Sequence, residues 1–222
     1  MKQVKNVCKS VAYSALDVLT GGRGVARTIG GETIRFPPHF SRYYESDYEP
    51  ATFDFLRQNL SKGDVYLDCG GHIGLFAVVG ARIVGDTGRV YSFEPTPFSR
   101  SVLEKTVRMN NYHHIVDVRP EAISQRSGTA TFFDTGTEVS NANSLVKKGK
   151  QGAGLEVKTI SLDDFVRDRN LRRVDCIKMD VEGSEMDALL GAKTVVETFR
   201  PAISLELHPF AYDKPQEHLG EI

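Results

Sequence analysis

Val65-Tyr66-Leu67-Asp68-Cys69-Gly70-Gly71-His72-Ile73-Gly74 decides the fold. It reads as a hydrophobic strand that ends in an acid and opens through glycines into a helix. Glycines let backbone approach a ligand with no Cβ in the way, and the helix that follows presents free amides and the positive end of its dipole. Such a loop suits several nucleotides. Its spacing is Asp-x-Gly-x-x-x-Gly, and His72 stands where a dinucleotide fingerprint has its second glycine, which disfavours a pyrophosphate.

Outward from this loop the chain alternates strand and helix. Downstream, Ile73 to Ile83 reads as a helix, Arg89 to Phe93 as a strand and Pro97 to Asn110 as a helix, with Thr96-Pro97 as N-cap and first turn. Further strands are expected at Ile115–Arg119, Thr129–Phe133, Leu155–Ile160, Val174–Met179 and Ala202–Leu207, and helices at Leu162–Asp168 and Ser184–Thr198. That rhythm predicts a doubly wound, mostly parallel α/β sheet with helices on both faces. Upstream, a helix is expected from Pro50 to Leu60, a short strand at Glu32–Phe36 stopped by Pro37-Pro38, and an amphipathic helix over Val4–Leu19 ended by Gly21-Gly22. Residues 1–47 are therefore read as an N-terminal helix and short strand serving as a lid or dimer element, and 48–222 as the catalytic domain. The polar run Asp134–Gly154 reads as a long exposed loop. Only 14 residues follow His208, which leaves open whether closing C-terminal strands are present.

Composition narrows the function. The 222 residues carry 28 basic and 29 acidic side chains, a formal charge of −1, so no positive field exists to hold nucleic acid. The three cysteines Cys8, Cys69 and Cys176 fit neither a disulfide framework nor a zinc knuckle, and read as reduced thiols. With no apolar run of the roughly 20 residues that cross a bilayer, no membrane partner is expected, and the cytoplasm is the expected compartment.

Four further motifs carry chemistry. Strand Val90-Tyr91-Ser92-Phe93 delivers Glu94, with Pro95 after it, about 20 residues beyond the loop, where a carboxylate accepts both hydroxyls of a ribose. Glu121-Ala122-Ile123-Ser124 follows a strand whose end marks an adenine edge, so Glu121 or Ala122 lines it, or the segment is a plain surface turn. In Lys178-Met179-Asp180-Val181-Glu182-Gly183-Ser184-Glu185 a strand end brings two acids into a glycine turn. Ser184 with Asp187 forms a box-like helix cap, while Asp180 and Glu182, not needed for the cap, should raise each other's pKa, as a catalytic base of useful strength requires. Alternation in Ile203-Ser204-Leu205-Glu206-Leu207-His208 puts Ser204, Glu206 and His208 on one face, with His208 at the crevice end as a second candidate base. His113-His114 lack a third ligand at metal spacing and read as solvated; no metal ligand is assigned.

S-adenosylmethionine has no phosphate and carries an ammonium and a sulfonium, so Asp68 beside the loop suits it electrostatically. Together, Asp68–Gly74, Phe93-Glu94-Pro95, Glu121–Ser124, Lys178–Glu185 and Arg200–His208 resemble the FkbM family of methyltransferases, in order and spacing, over about Tyr48–His208. One departure is visible: the family's loop usually reads Gly-Ala-Asn-x-Gly, whereas Gly71-His72 replace Ala-Asn here. The resemblance implies a Rossmann-like class I methyltransferase using S-adenosylmethionine and, for many relatives, O-methylation of a sugar or natural-product hydroxyl.

On this reading Asp68, Gly70, Gly71, His72, Gly74, Glu94, Pro95, Glu121 and Ala122 hold the cofactor. Asp180, Glu182 and His208 surround the acceptor hydroxyl, and one of them is the base. If Asp180 and Glu182 held a divalent cation, the metal would lower the hydroxyl pKa instead. Two rival readings are an NAD-dependent oxidoreductase, disfavoured by the broken glycine fingerprint, and a non-catalytic binding domain. Oligomeric state is left open, a homodimer included.

Overall fold

Alternating strands and helices close into one parallel sheet, seen in a computed structural model of the chain that describes residues 18–133 and 154–208 together with Tyr13 and Leu16. Strands β1 (Val25–Ile29) and β2 (Glu32–Phe36) form an antiparallel hairpin. Then follow α1 (Pro50–Asn59), β3 (Val65–Cys69), α2 (Leu75–Val84), β4 (Arg89–Phe93), α3 (Pro97–Met109) and β5 (Val116–Arg119). A three-stranded sheet interrupts the rhythm: β6 (Ala122–Ile123) pairs parallel and β7 (Gly128–Phe133) antiparallel with β8 (Gly154–Ile160). The chain returns through α4 (Leu162–Asp168), β9 (Cys176–Met179), α5 (Glu185–Leu190), α6 (Lys193–Phe199) and β10 (Ala202–Leu205).

The main sheet has the order β10-β9-β3-β4-β5 with every neighbour parallel. The order reverses between β3 and β9, and such a switch point opens a crevice at the carboxyl ends of the strands. Central β3 is covered on both faces, so Tyr66, Leu67, Asp68 and Cys69 are all buried, which is why it reads as a continuous apolar run rather than an alternation. Helix α2 is buried almost all round because it lies between the sheet and the N-terminal hairpin. Ile29, Ile34 and Phe36 of that hairpin share one core with Tyr66 and Leu75, so residues below 47 and above 48 bury each other. A second core, on the opposite face, gathers Leu67, Phe93, Phe165, Ile177 and Val195.

Strands β2 and β4 and helix α4 match their expected bounds, and the other expected elements that lie within the described residues fall within a few residues of theirs, with one break. Instead of a single helix over Ser184–Thr198 there are two, α5 and α6. Gly191, between them, packs so tightly that a Cβ there would lie 2.4 Å from the Ser124 carbonyl oxygen. Neither expected cap is made: Thr96 and Ser184 precede their helices but give no side-chain capping bond. Glu94 takes the Thr96 amide instead, at 2.8 Å. Tyr13, Leu16, Val18 and Leu19 are helical, while most of the helix expected over Val4–Leu19, the loop from Asp134 and any strand after His208 lie outside the described residues. No helix among the described residues is long and apolar enough to cross a membrane.

Candidate active site

The carboxyl ends of β3, β4 and β9 open into a cavity of about 810 Å³, counting its open mouth. Three of its wall residues that are not glycine, Glu49, His72 and Glu182, have φ between 41° and 54°. Left-handed backbone at side-chain-bearing residues costs of order 1 kcal/mol or more each, and it persists where the surroundings over-determine it, as at binding sites.

The glycine loop forms one wall. Gly70 lies at φ +90°, and a Cβ there would sit 1.9 Å from the Asp180 carbonyl oxygen, so only glycine lets β3 and β9 close at this point. The amides of Gly70 and Gly71 both donate to the Phe93 carbonyl, which ties the loop to β4. Gly70, Gly71 and His72 line the cavity; Gly74 does not, and serves as the N-cap position of α2. Asp68 does not reach the cavity either. It is fully buried beneath the loop, where its carboxylate accepts from the Ser92 hydroxyl at 2.7 Å and the Tyr66 hydroxyl at 3.4 Å. Burial raises its pKa, opposed by the Lys178 ammonium and the Ser92 bond.

Glu94, Pro95, Glu121 and Ala122 line the next wall, as their positions in the sequence imply. Glu94 is 7% exposed and accepts the backbone amides of His72 (3.0 Å) and Thr96 (2.8 Å), one on each oxygen. Burial pushes its pKa up to about 7 despite those bonds and the nearby Arg100. The Thr96 hydroxyl bonds the same carboxylate, which still has acceptor capacity for a ligand hydroxyl. Glu121 holds Arg119 through Oε1 at 2.9 Å, and its Oε2 is buried with no hydrogen-bond partner among the described residues.

The third wall is ionic. Lys178, 4% exposed, donates to Asp180 Oδ2 at 3.1 Å. Burial opposes its charge, but Asp180, Asp68 and Glu49 outweigh that and raise its pKa. Asp180 and Glu182 line the cavity, and His208 stands beside them, with Nε2 at 3.9 Å from Asp180 Oδ1 and 3.6 Å from Glu182 Oε2. The sequence therefore brings these three together as expected. What it did not assign is Glu185, fully buried, whose Oε1 lies 2.9 Å from His208 Nδ1 and accepts the Gly183 amide at 2.8 Å. That bond is the largest influence raising the His208 pKa, followed by burial, which opposes it, and then by Glu182. Ligand atoms of Asp180, Glu182 and His208 lie within 4.8 Å of one another, as do those of Glu49, Asp180 and Glu206.

Residues missed from the sequence are Lys178, Glu185, Tyr44, Tyr48 and Glu49. Lys178 and Glu185 are the first and last members of the Lys-x-Asp-x-Glu-Gly-x-Glu run, so the signal for them lies within that motif. Tyr44, Tyr48 and Glu49 reach the cavity from the segment before α1, which carries no motif. His114 is exposed beside Asp86, as its solvated reading implies.

The model of the FkbM methyltransferase domain matches residues 68–222. Methyltransferase sdnD of Sordaria araneosa is 27% identical over 181 residues, 65% of this chain and 70% of that protein. Hexuronic acid methyltransferase AglP of Haloferax volcanii is 28% identical over 155 residues, 69% of this chain and 59% of that protein. The crystal structure of an FkbM methyltransferase from Methylobacillus flagellatus covers 78% of this chain at a TM-score of 0.50 and 15% identity, a likeness of fold. This chain spans 44% of that one.

Proposed function

We propose that this chain, which belongs to the FkbM methyltransferase family, methylates a hydroxyl group on a sugar or small natural product. Its cofactor is S-adenosylmethionine, which when bound supplies an electrophilic methyl carbon on a sulfonium. The cavity fits that group. Glu94 keeps acceptor capacity for a ribose hydroxyl, and the buried, unpartnered Oε2 of Glu121 is an acceptor for the adenine amino group. Glu49 and Asp180 bring negative charge to the wall where a cationic ligand sits.

Displacement at a sulfonium neutralises charge, so the protein supplies positioning and removal of the hydroxyl proton. The observation that carries the assignment is the Glu185–His208 pair. Glu185 holds His208 Nδ1, which leaves Nε2 turned toward Asp180 and Glu182 at the cavity. A carboxylate on one ring nitrogen orients the imidazole and stabilises the imidazolium formed when the other takes a proton. We assign His208 Nε2 as the proton acceptor, with Asp180 and Glu182 around the acceptor hydroxyl.

His208→Ala tests this. Methyl transfer is expected to fall by about 10²- to 10⁴-fold, with S-adenosylhomocysteine affinity changed by less than about threefold. Retained turnover, or equal loss of cofactor binding, refutes the assignment. The hexuronic acid named for the Haloferax relative puts uronic acids first in the acceptor screen. A second reading is favoured by the proximity of Asp180, Glu182 and His208: a divalent cation held there lowers the hydroxyl pKa, and a chelator then abolishes turnover.

A further inference from the structure

The loop residue His72 carries a nitrogen that the fold buries and leaves unused. Its Nε2 is covered and has no hydrogen-bond partner among the described residues, while the residue lines the cavity. Everything else about it is fixed. Its backbone amide donates to Glu94 Oε2, its ring packs 5.0 Å from that of Tyr43, and its Nδ1 lies 2.8 Å from the Tyr44 hydroxyl.

The tautomer follows from Tyr44. That phenol is buried, and burial raises its pKa well above the ordinary value, so it keeps its proton. A buried hydroxyl hydrogen without an acceptor is costlier than an unused oxygen lone pair, so the phenol donates to Nδ1. Burial and then the Lys178 charge push the His72 pKa down to about 4, which keeps the ring neutral and its one proton on Nε2. The site thus holds an uncharged N–H donor on a cavity-lining residue, within the influence of the buried Lys178 ammonium and of Asp180, its ion-pair partner, while Glu49 lines the same cavity.

The amino-acid end of the cofactor carries one ammonium and one carboxylate. Glu49 and Asp180 suit the first, and an N–H beside Lys178 suits the second. We propose that His72, set by Tyr44, is the positioning residue that binds the carboxylate of the cofactor's amino-acid end through Nε2–H. This rests on the S-adenosylmethionine reading of the cavity.

The test is calorimetric titration of the full chain with S-adenosylhomocysteine and with its decarboxylated analogue. A hydrogen bond to a charged group predicts that His72→Ala weakens S-adenosylhomocysteine by about 10- to 100-fold and the analogue by less than about threefold. His72→Asn, which tolerates φ +48° and offers an amide N–H, is expected to recover most of the loss. Tyr44→Phe keeps the ring and removes only the hydroxyl, and is expected to show a smaller loss with the same ligand selectivity. Equal weakening of both ligands in His72→Ala and Tyr44→Phe, or of neither, overturns the proposal. Binding of neither ligand by the unaltered protein overturns the cofactor reading and the proposal with it.

Discussion

Glu94→Gln separates the stability of the fold from the needs of its site. In the free protein burial raises the Glu94 carboxyl from 4.5 to about 7. A shift of roughly 2.5 units corresponds to about 3 kcal/mol of differential interaction between its charged and neutral forms. The sign is unusual for a carboxylate. Between pH 4.5 and 7 the folded chain holds a proton at this site that the unfolded chain has released, so stability falls as pH rises through that window and levels off above 7. Glutamine has no charge to desolvate, though its amide satisfies only one of the two backbone amides, from His72 and Thr96, that the carboxylate accepts. That loss costs about 1–2 kcal/mol at every pH. Urea unfolding followed by circular dichroism is therefore expected to show Glu94→Gln slightly less stable than wild type at pH 4.5. Relative to wild type the variant then gains about 3 kcal/mol by pH 8, and the order reverses. Other titrating groups are common to both proteins and cancel in the difference. A difference that stays flat with pH, or that moves against the variant as pH rises, refutes the reasoning. A residue held at such a cost to the free fold is expected where a ligand needs it.

Three further outcomes follow from the same geometry. Because the Glu185 bond leads the upward shift of His208, the acidic limb of the pH–rate profile should lie above the ordinary histidine range, and Glu185→Gln should move it toward lower pH as well as slow turnover. An unmoved limb detaches Glu185 from His208. Gly70→Ala must push β3 and Asp180 apart, so a loss of at least about 2 kcal/mol is expected, read as a drop of several degrees in thermal midpoint. An unchanged midpoint contradicts the close approach. Lys178→Met leaves Asp68 and Asp180 without their buried cation and should cost about 3–5 kcal/mol by urea titration; a variant as stable as wild type shows that the cation is dispensable.

The sheet was legible because its signals are local. Strand β4 and helix α4 announce themselves by apolar pattern and bounding residues, and the Thr96-Pro97 step starts α3 where Pro97 is expected. What the sequence hid depends on contacts across the chain. The break falls at Gly191, which packs against the Ser124 carbonyl far back in the chain, a contact that the run from Ser184 to Thr198 does not reveal. Partner strand β1 went unread because only its neighbour β2 alternates cleanly against a proline stop. Asp180, Glu182 and His208 come together from strand ends, as expected, since a parallel sheet sends those ends to one crevice. Asp68 was expected at the ligand and is turned inward to Ser92, a partner on β4 that no spacing within β3 reveals. Glu185 stood in view within its motif, but its partner His208 lies 23 positions away, and a pair at that separation has no periodic signature. The same holds for Tyr44 and His72, 28 apart.

Calorimetric titration with S-adenosylhomocysteine and, separately, with NAD decides the cofactor. The chain has no tryptophan, so heat is a better signal than intrinsic fluorescence. Micromolar binding of S-adenosylhomocysteine alone, lost in Glu94→Ala, is expected. Binding of NAD alone, or S-adenosylhomocysteine binding that survives Glu94→Ala unchanged, contradicts it.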